Sequence, residues 1–177
     1  MIFTGSIVAS VLLTMVLTLY ATSTIESAEF PTAEAASQTP LGTFYHPSGI
    51  FINATGNIVV TDTLNHRVQA FNPDGSFNST FGFPGNSPFD GSMNQPLGLF
   101  MNSTGFSYVT STFTNVVKIY DSQGNFVSTI GSAGTGVDQY YRPSGVTQNA
   151  THIFIADTFN NRIIITNLSG ITVDTIP

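Results

Sequence analysis

The feature that most constrains this chain is internal repetition. Pro47-Ser48-Gly49-Ile50 returns as Pro96-Leu97-Gly98-Leu99 after 49 residues, and as Pro143-Ser144-Gly145-Val146 after 47 more. Other positions keep step with it. Asn53-Ala54-Thr55, Asn102-Ser103-Thr104 and Asn149-Ala150-Thr151 each begin six residues after the proline. Short β-branched or aromatic runs follow at 58–60, 106–109 and 153–155. Gly75, Gly124 and Gly170 then mark a turn before a last run at 77–81, 126–130 and 171–176. A fixed period of this length belongs to units that cannot bury a face alone and must stack on their neighbours.

Each unit reads as four strands of about five residues separated by turn chemistry. Asn, Asp and Gly supply positive φ or side-chain bonds to the backbone, and Pro fixes φ where a strand cannot continue. In the first unit the strands are expected near 48–52, 57–61, 66–71 and 76–81. Four short antiparallel strands per 40–50 residues is the arithmetic of a β-propeller blade. The expected fold is therefore all-β: a partial β-propeller of three four-stranded antiparallel blades, preceded by a signal-peptide-like helix. The segments are 1–28 (signal peptide or N-terminal anchor), 29–43 (flexible linker), and repeats at 44–95, 96–142 and 143–177.

Composition narrows the class. Residues 1–25 carry no charged side chain, and 7–20 form an apolar run. The run is short for a membrane span of about 20 residues and fits a secretory h-region. Charged residues make up 8% of the chain and its net charge is -6. The basic residues Arg67, Lys118, Arg142 and Arg162 are scattered, so there is no electrostatic footprint for nucleic acid. The lack of Cys excludes a disulfide framework and thiolate metal sites. The expected location is secreted or cell-surface, with membrane attachment only through an uncleaved N-terminal segment.

The stretch Thr61-Asp62-Thr63-Leu64-Asn65-His66-Arg67-Val68-Gln69-Ala70-Phe71 resembles the NHL repeat. Ala156-Asp157-Thr158-Phe159-Asn160-Asn161-Arg162-Ile163 resembles it well, whereas Thr110-Ser111-Thr112-Phe113-Thr114-Asn115-Val116-Val117 is degenerate. The connector carrying Gly131, Gly134, Gly136, Gln139, Tyr140 and Pro143 also looks like that family's linker. The resemblance covers about residues 44–177. It implies four-stranded blades around a central axis, usually six of them. Some enzymes of the family hold a metal on His at the axis. Here His46, His66 and His152 occupy different places in their repeats, so no metal site, cofactor or catalytic residue is assigned.

Asp62 and Arg67 lie five apart across a tight turn, and Asp157 and Arg162 repeat the spacing. In the middle unit both are replaced, by Ser111 and Val116. Loss of one partner would strand a buried charge, whereas loss of both can be nearly neutral. These residues are read as structural turn pairs, and the middle turn is expected to be looser or apolar. Asn53, Asn78, Asn102, Asn149 and Asn167 head Asn-x-Ser/Thr sequons and are candidate N-glycosylation sites. An Asn at a turn can equally serve as an Asx turn. His46, Tyr140, Tyr141 and Arg142 lie where a connector meets the repeat, and form a candidate binding face.

The function expected is a non-catalytic binding or interaction scaffold for a protein or glycan ligand. Two alternatives stand beside it: part of a propeller enzyme of lyase or lactonase type, and a structural unit of a surface layer or filament. Three blades do not close a ring, which typically needs four to eight. Either two chains form a homodimer that completes a six-bladed ring, or the chain is a fragment of a longer propeller.

Overall fold

The computed structural model of the protein describes residues 40–177. The expected signal-peptide-like helix and most of the linker lie outside the described residues. Among the described residues no helix is long and apolar enough to cross a membrane.

Three four-stranded antiparallel sheets follow one another along the chain. The first consists of β1 (Pro47–Ile52), β2 (Ile58–Asp62), β3 (Arg67–Phe71) and β4 (Phe77–Phe81). A connector with the short strands β5 (Phe83–Pro84) and β6 (Ser92–Met93) leads to the second. This holds β7 (Pro96–Met101), β8 (Ser107–Ser111), β9 (Val116–Tyr120) and β10 (Phe126–Ile130). A second connector, with β11 (Ser132–Ala133) and β12 (Gln139–Tyr140), leads to β13 (Gly145–Gln148), β14 (His152–Asp157), β15 (Arg162–Asn167) and β16 (Thr172–Ile176). Each sheet runs in sequence order, and the first strands β1, β7 and β13 approach one another. The sheets are blades set around a common axis.

Strand alternation decides which face each residue serves. Val59 and Val68 of the first blade pack with Leu99, Val109 and Tyr120 of the second. Tyr108, Val117 and Ile119 pack with Val146, Ile153, Ile155 and Ile164 of the third. Neighbouring residues of β8, Tyr108 and Val109, thus serve opposite junctions. The middle blade is covered by a neighbour on each face, which is why β8 and β9 are buried throughout.

The inner strands show a local rule. Thr61 Oγ1 accepts from Gly49 N at 2.7 Å, and Thr110 Oγ1 accepts from Gly98 N at 2.7 Å. A hydroxyl thus takes an amide that would otherwise enter the ladder. Register accordingly shifts between Pro47 and Ile50 and between Pro96 and Leu99. In the third blade Ala156 replaces the threonine, and Gly145 to Gln148 pair with Ala156 to Ile153 without a break.

These inner strands also pack backbone against backbone. A Cβ added at Gly98 would lie 2.7 Å from both Ser144 O and Gly145 Cα of the next blade. Neither can swing away as a side-chain tip would. Gly98→Ala should therefore destabilise the fold by about 1–3 kcal/mol, the range for overpacking. Chemical denaturation measures this, and an unchanged midpoint would contradict it.

Candidate functional site

In the first and third repeats the chain passes from second to third strand through one turn of 3-10 helix, Thr63–Asn65 and Thr158–Asn160. The residue that ends the turn is left-handed in all three copies: His66 (φ 55), Asn115 (φ 60) and Asn161 (φ 52). The residue before each repeat's proline is left-handed too: His46, Gln95 and Arg142. These two bends bring turn and connector together.

Asp62 is fully buried beneath the first turn. Its Oδ2 accepts from Arg67 Nε and Asn65 Nδ2, both at 2.8 Å, and from Gln69 Nε2 at 2.9 Å. Its Oδ1 accepts from Tyr45 N, in the segment before the blade, at 2.7 Å. Leu64 N returns a bond to Tyr45 O at 3.0 Å. Arg67 Nη2 also donates to Pro40 O (3.1 Å) and Thr43 O (3.2 Å). The ion pair is thus a pin that fixes the preceding segment to the turn. A buried carboxylate is tolerated because its lone pairs are met by donors, one of them a cation.

The third repeat is built alike. Asp157 Oδ2 accepts from Arg162 Nε and Asn160 Nδ2, and its Oδ1 accepts from Tyr141 N. Arg162 Nη2 reaches Gly136 O and Gln139 O, both at 2.8 Å. The structure therefore brings together both sequence-assigned pairs.

The middle turn corrects the expectation of a loose or apolar one. Ser111 Oγ accepts from Asn94 N at 2.9 Å, where the aspartates take Tyr45 N and Tyr141 N. Phe113 N bonds back to Asn94 O at 3.1 Å. The cation has moved two residues along the strand. Lys118, at the position of Gln69, is fully buried and its Nζ reaches Ser87 O and Asp90 O at 2.6 Å each. Burial pushes its pKa down to about 8, against the opposing pull of Asp90. Sequence reading missed Lys118 because it searched the arginine's own position. The signal was a lone Lys in an apolar strand, on the same face as the missing Arg.

One face of this region is open. The Arg142 guanidinium lies 4.5 Å from the Phe113 ring centroid, 4.9 Å from Phe159 and 6.0 Å from Tyr141. Tyr141 and Phe159 meet edge to face at 5.6 Å. All three rings are exposed, about half their surface in water. Arg67, Arg162 and Lys118 are committed to protein acceptors. Among the described residues the Arg142 guanidinium has no hydrogen-bonded or ion-paired partner; its backbone N donates to Asn115 Oδ1. His46 is exposed in the segment that precedes β1. Tyr140 does not belong to this face. Its side chain is fully buried in the second core. Left-handed Gly131 leaves the space its ring fills.

The sequon asparagines hold turns. Asn53 Oδ1 accepts from Thr55 N, Thr55 Oγ1 and Asn57 N. Asn102 and Asn149 do the same through Thr104 and Phe106, and through Thr151 and His152. Both ends of the Asn-x-Thr pattern thus have a use in the turn. Asn167 Oδ1 takes Ser169 N and Ile171 N. Asn78 is exposed on β4, its Nδ2 donating to Asn72 Oδ1.

Bonds between turns also join the blades. Gln95 N donates to His66 Nδ1 at 3.1 Å, and Arg142 N to Asn115 Oδ1 at 2.8 Å. Thr63 Oγ1 donates to Pro96 O and Thr112 Oγ1 to Pro143 O. The clue in the sequence was that all three turn ends carry a side chain able to accept.

Fold and site together define a three-blade segment of β-propeller. Residues 44–71, which span β1 to β3 of the first blade, match the model of the NHL repeat. Protein brain tumor of Drosophila melanogaster is 49% identical over 41 residues, 23% of this chain and 4% of that protein. B-box type zinc finger protein ncl-1 of Caenorhabditis elegans is 53% identical over 36 residues, 20% and 4% respectively. The chain thus spans a small part of these relatives. Among solved structures, a streptogramin B lyase superposes with a TM-score of 0.57 at 14% identity, over 72% of this chain and 39% of that one. Virginiamycin B lyase from Staphylococcus aureus gives 0.56 at 19%, over 77% and 42%. The WD40 repeats of RRP9 give 0.56 at 12%, over 77% and 41%. At these identities the likeness is one of fold.

The His66 bond carries a pH dependence. Burial lowers the His66 pKa from 6.5. Protonation would also remove the Nδ1 lone pair that holds Gln95 N. The unfolded chain then binds this proton more readily, so the stabilisation is present above pH 6.5 and is lost as pH falls through and below that value. Urea midpoints at pH 7.5 and 5 should show the loss. His66→Asn, which copies Asn115 and Asn161, should remove this component; an undiminished slope in the variant would count against it.

Proposed function

We propose that the chain is an exported propeller module that binds a ligand without turning it over, and that its contact face is the Arg142 cluster. The observation that carries this reading is a guanidinium within 6.0 Å of three ring centroids, with its donors uncommitted among the described residues. An arginine fork matches a carboxylate in two-point geometry, and stacking on aromatic faces lowers the entropy lost on binding. The rings themselves offer flat apolar surface to a peptide or a sugar. The ligand class is therefore a carboxylate-bearing protein segment or an acidic glycan. The face lies on turns and connectors held by a rigid sheet scaffold, where recognition commonly resides.

Acetate, N-acetylneuraminic acid and an acidic tetrapeptide serve as probes. On titration, the Arg142 Nε–H resonance should move while those of Arg67 and Arg162 stay, and Phe113→Ala should weaken the response. No shift at millimolar probe, or equal shifts at all three arginines, would overturn the reading.

Export is supported by the uncharged apolar stretch at the start of the sequence and by the five sequons. Glycans on Asn53, Asn102 and Asn149 are compatible with the turns, which use Oδ1 of each side chain and not the nitrogen that a glycan joins. Protein from its native host should lose mass on enzymatic deglycosylation. Recovery at the bare polypeptide mass, allowing for leader removal, would reject this part.

A further inference from the structure

The contacts that join the blades leave matching groups without a blade-to-blade partner at the two ends of the arc, among the described residues. At both internal junctions a turn threonine donates to the next blade's proline carbonyl: Thr63 to Pro96 O and Thr112 to Pro143 O. At both, the left-handed turn residue accepts an amide from the residue before that proline. The third blade carries the same two groups, Thr158 and Asn161, both exposed. Thr158 Oγ1 bonds only within its own blade, to Ser144 Oγ and Ala156 O. The first blade presents the complement at the opposite end: exposed His46 and Pro47.

The apolar positions repeat the pattern. Leu99 and Val146 stand three residues after their prolines and are each 9% exposed, packed at a junction with the blade before them. Ile50 holds the same place in the first blade and is 66% exposed. At the other end, Ile176 pairs with Ile163 as Phe81 pairs with Val68. Val68 is buried in the first core and Phe81 packs against it, whereas Ile176 is 52% exposed.

Gly145 makes the same point. At the two internal junctions the equivalent glycines, Gly49 and Gly98, are required by the next blade, whose backbone a Cβ would strike. A Cβ at Gly145 would meet only Ala156 Cβ, at 3.4 Å, an ordinary contact. Nothing in the described residues explains this glycine; the backbone of a following blade would.

We infer that the open end of the third blade receives the first blade of a second copy of this chain, and that two copies close a six-bladed ring. Thr158 would donate to Pro47 O of the other copy, Asn161 would accept from its His46 N, and Gly145 would leave room for its Ser48-Gly49 backbone. The two-fold operation makes both junctions alike and leaves no end uncovered. Six blades lie within the range in which propellers close.

The full chain at micromolar concentration is measured by light scattering, with Gly145→Ala beside it. The expected result is the mass of two chains of 18.9 kDa for the unaltered protein. The variant should keep its β-sheet circular dichroism while its dimer dissociation constant rises about tenfold or more, the equivalent of an overpacked junction. Because the chain has no Cys, a second arm uses His46→Cys and Asn161→Cys with a short bis-maleimide. The double variant should give a covalent dimer and each single variant should not. A folded monomer, an open-ended series of oligomers, or an aggregate whose faces await further blades would each overturn the inference. So would cross-linking that does not depend on having both cysteines.

Discussion

Everything in this structure hangs on one buried acceptor at the end of each second strand. Asp62, Ser111 and Asp157 each take a backbone N–H from the chain segment that enters the blade. An N–H hidden in a turn without a partner costs about 1–3 kcal/mol, so the acceptor fixes where that segment must lie. Once it lies there, the bend before the proline, the start of the inner strand and the register of the sheet follow. The rest of the anchor varies. Arg67 and Arg162 reach connector carbonyls from one position, and Lys118 from two residues further on.

This explains how a repeat can lose its most recognisable residues and keep its shape. What is retained is an acceptor of the right reach and a cation on the right face. Ser111 and Lys118 satisfy both conditions with different chemistry. An Asp-Arg pair is compact and self-neutralising; a serine with a displaced lysine leaves a buried ammonium held by carbonyls, whose charge is the more easily lost.

The blades were legible in the sequence because turn chemistry and strand alternation both repeat with one period. The first blade's strands lie within a residue of where the pattern puts them; the third starts with Gly145 at β13 in an unbroken ladder because Ala156 has no hydroxyl to intercept an amide. That exception needs one side chain read against its cross-strand neighbour, which a period does not supply. The turn pairs were legible because five residues across a tight turn leave few geometries. Tyr140 was misread for the opposite reason. It sits beside exposed Tyr141, and what separates core from surface is that the strand ends at Tyr140, whose ring fills the space left by Gly131. Lys118 and the His66 and Asn115 acceptors were hidden because their partners lie in connectors 27–31 residues away, whose course the sequence does not reveal.

Each pin ties a blade to the chain that precedes it, never to the chain that follows. The molecule therefore has a direction under mechanical load. Tension on the segment before Tyr45 acts first on the carbonyls of Pro40 and Thr43, held by Arg67 and Gln69, and so bears on several side-chain bonds together. Tension on the chain after β16 meets first the backbone ladder to β15, which can open one rung at a time before the load reaches Thr172 N on Asp138 Oδ1. A tether at one terminus and a tether at the other would thus strain two different structures, although the blades they hold are copies.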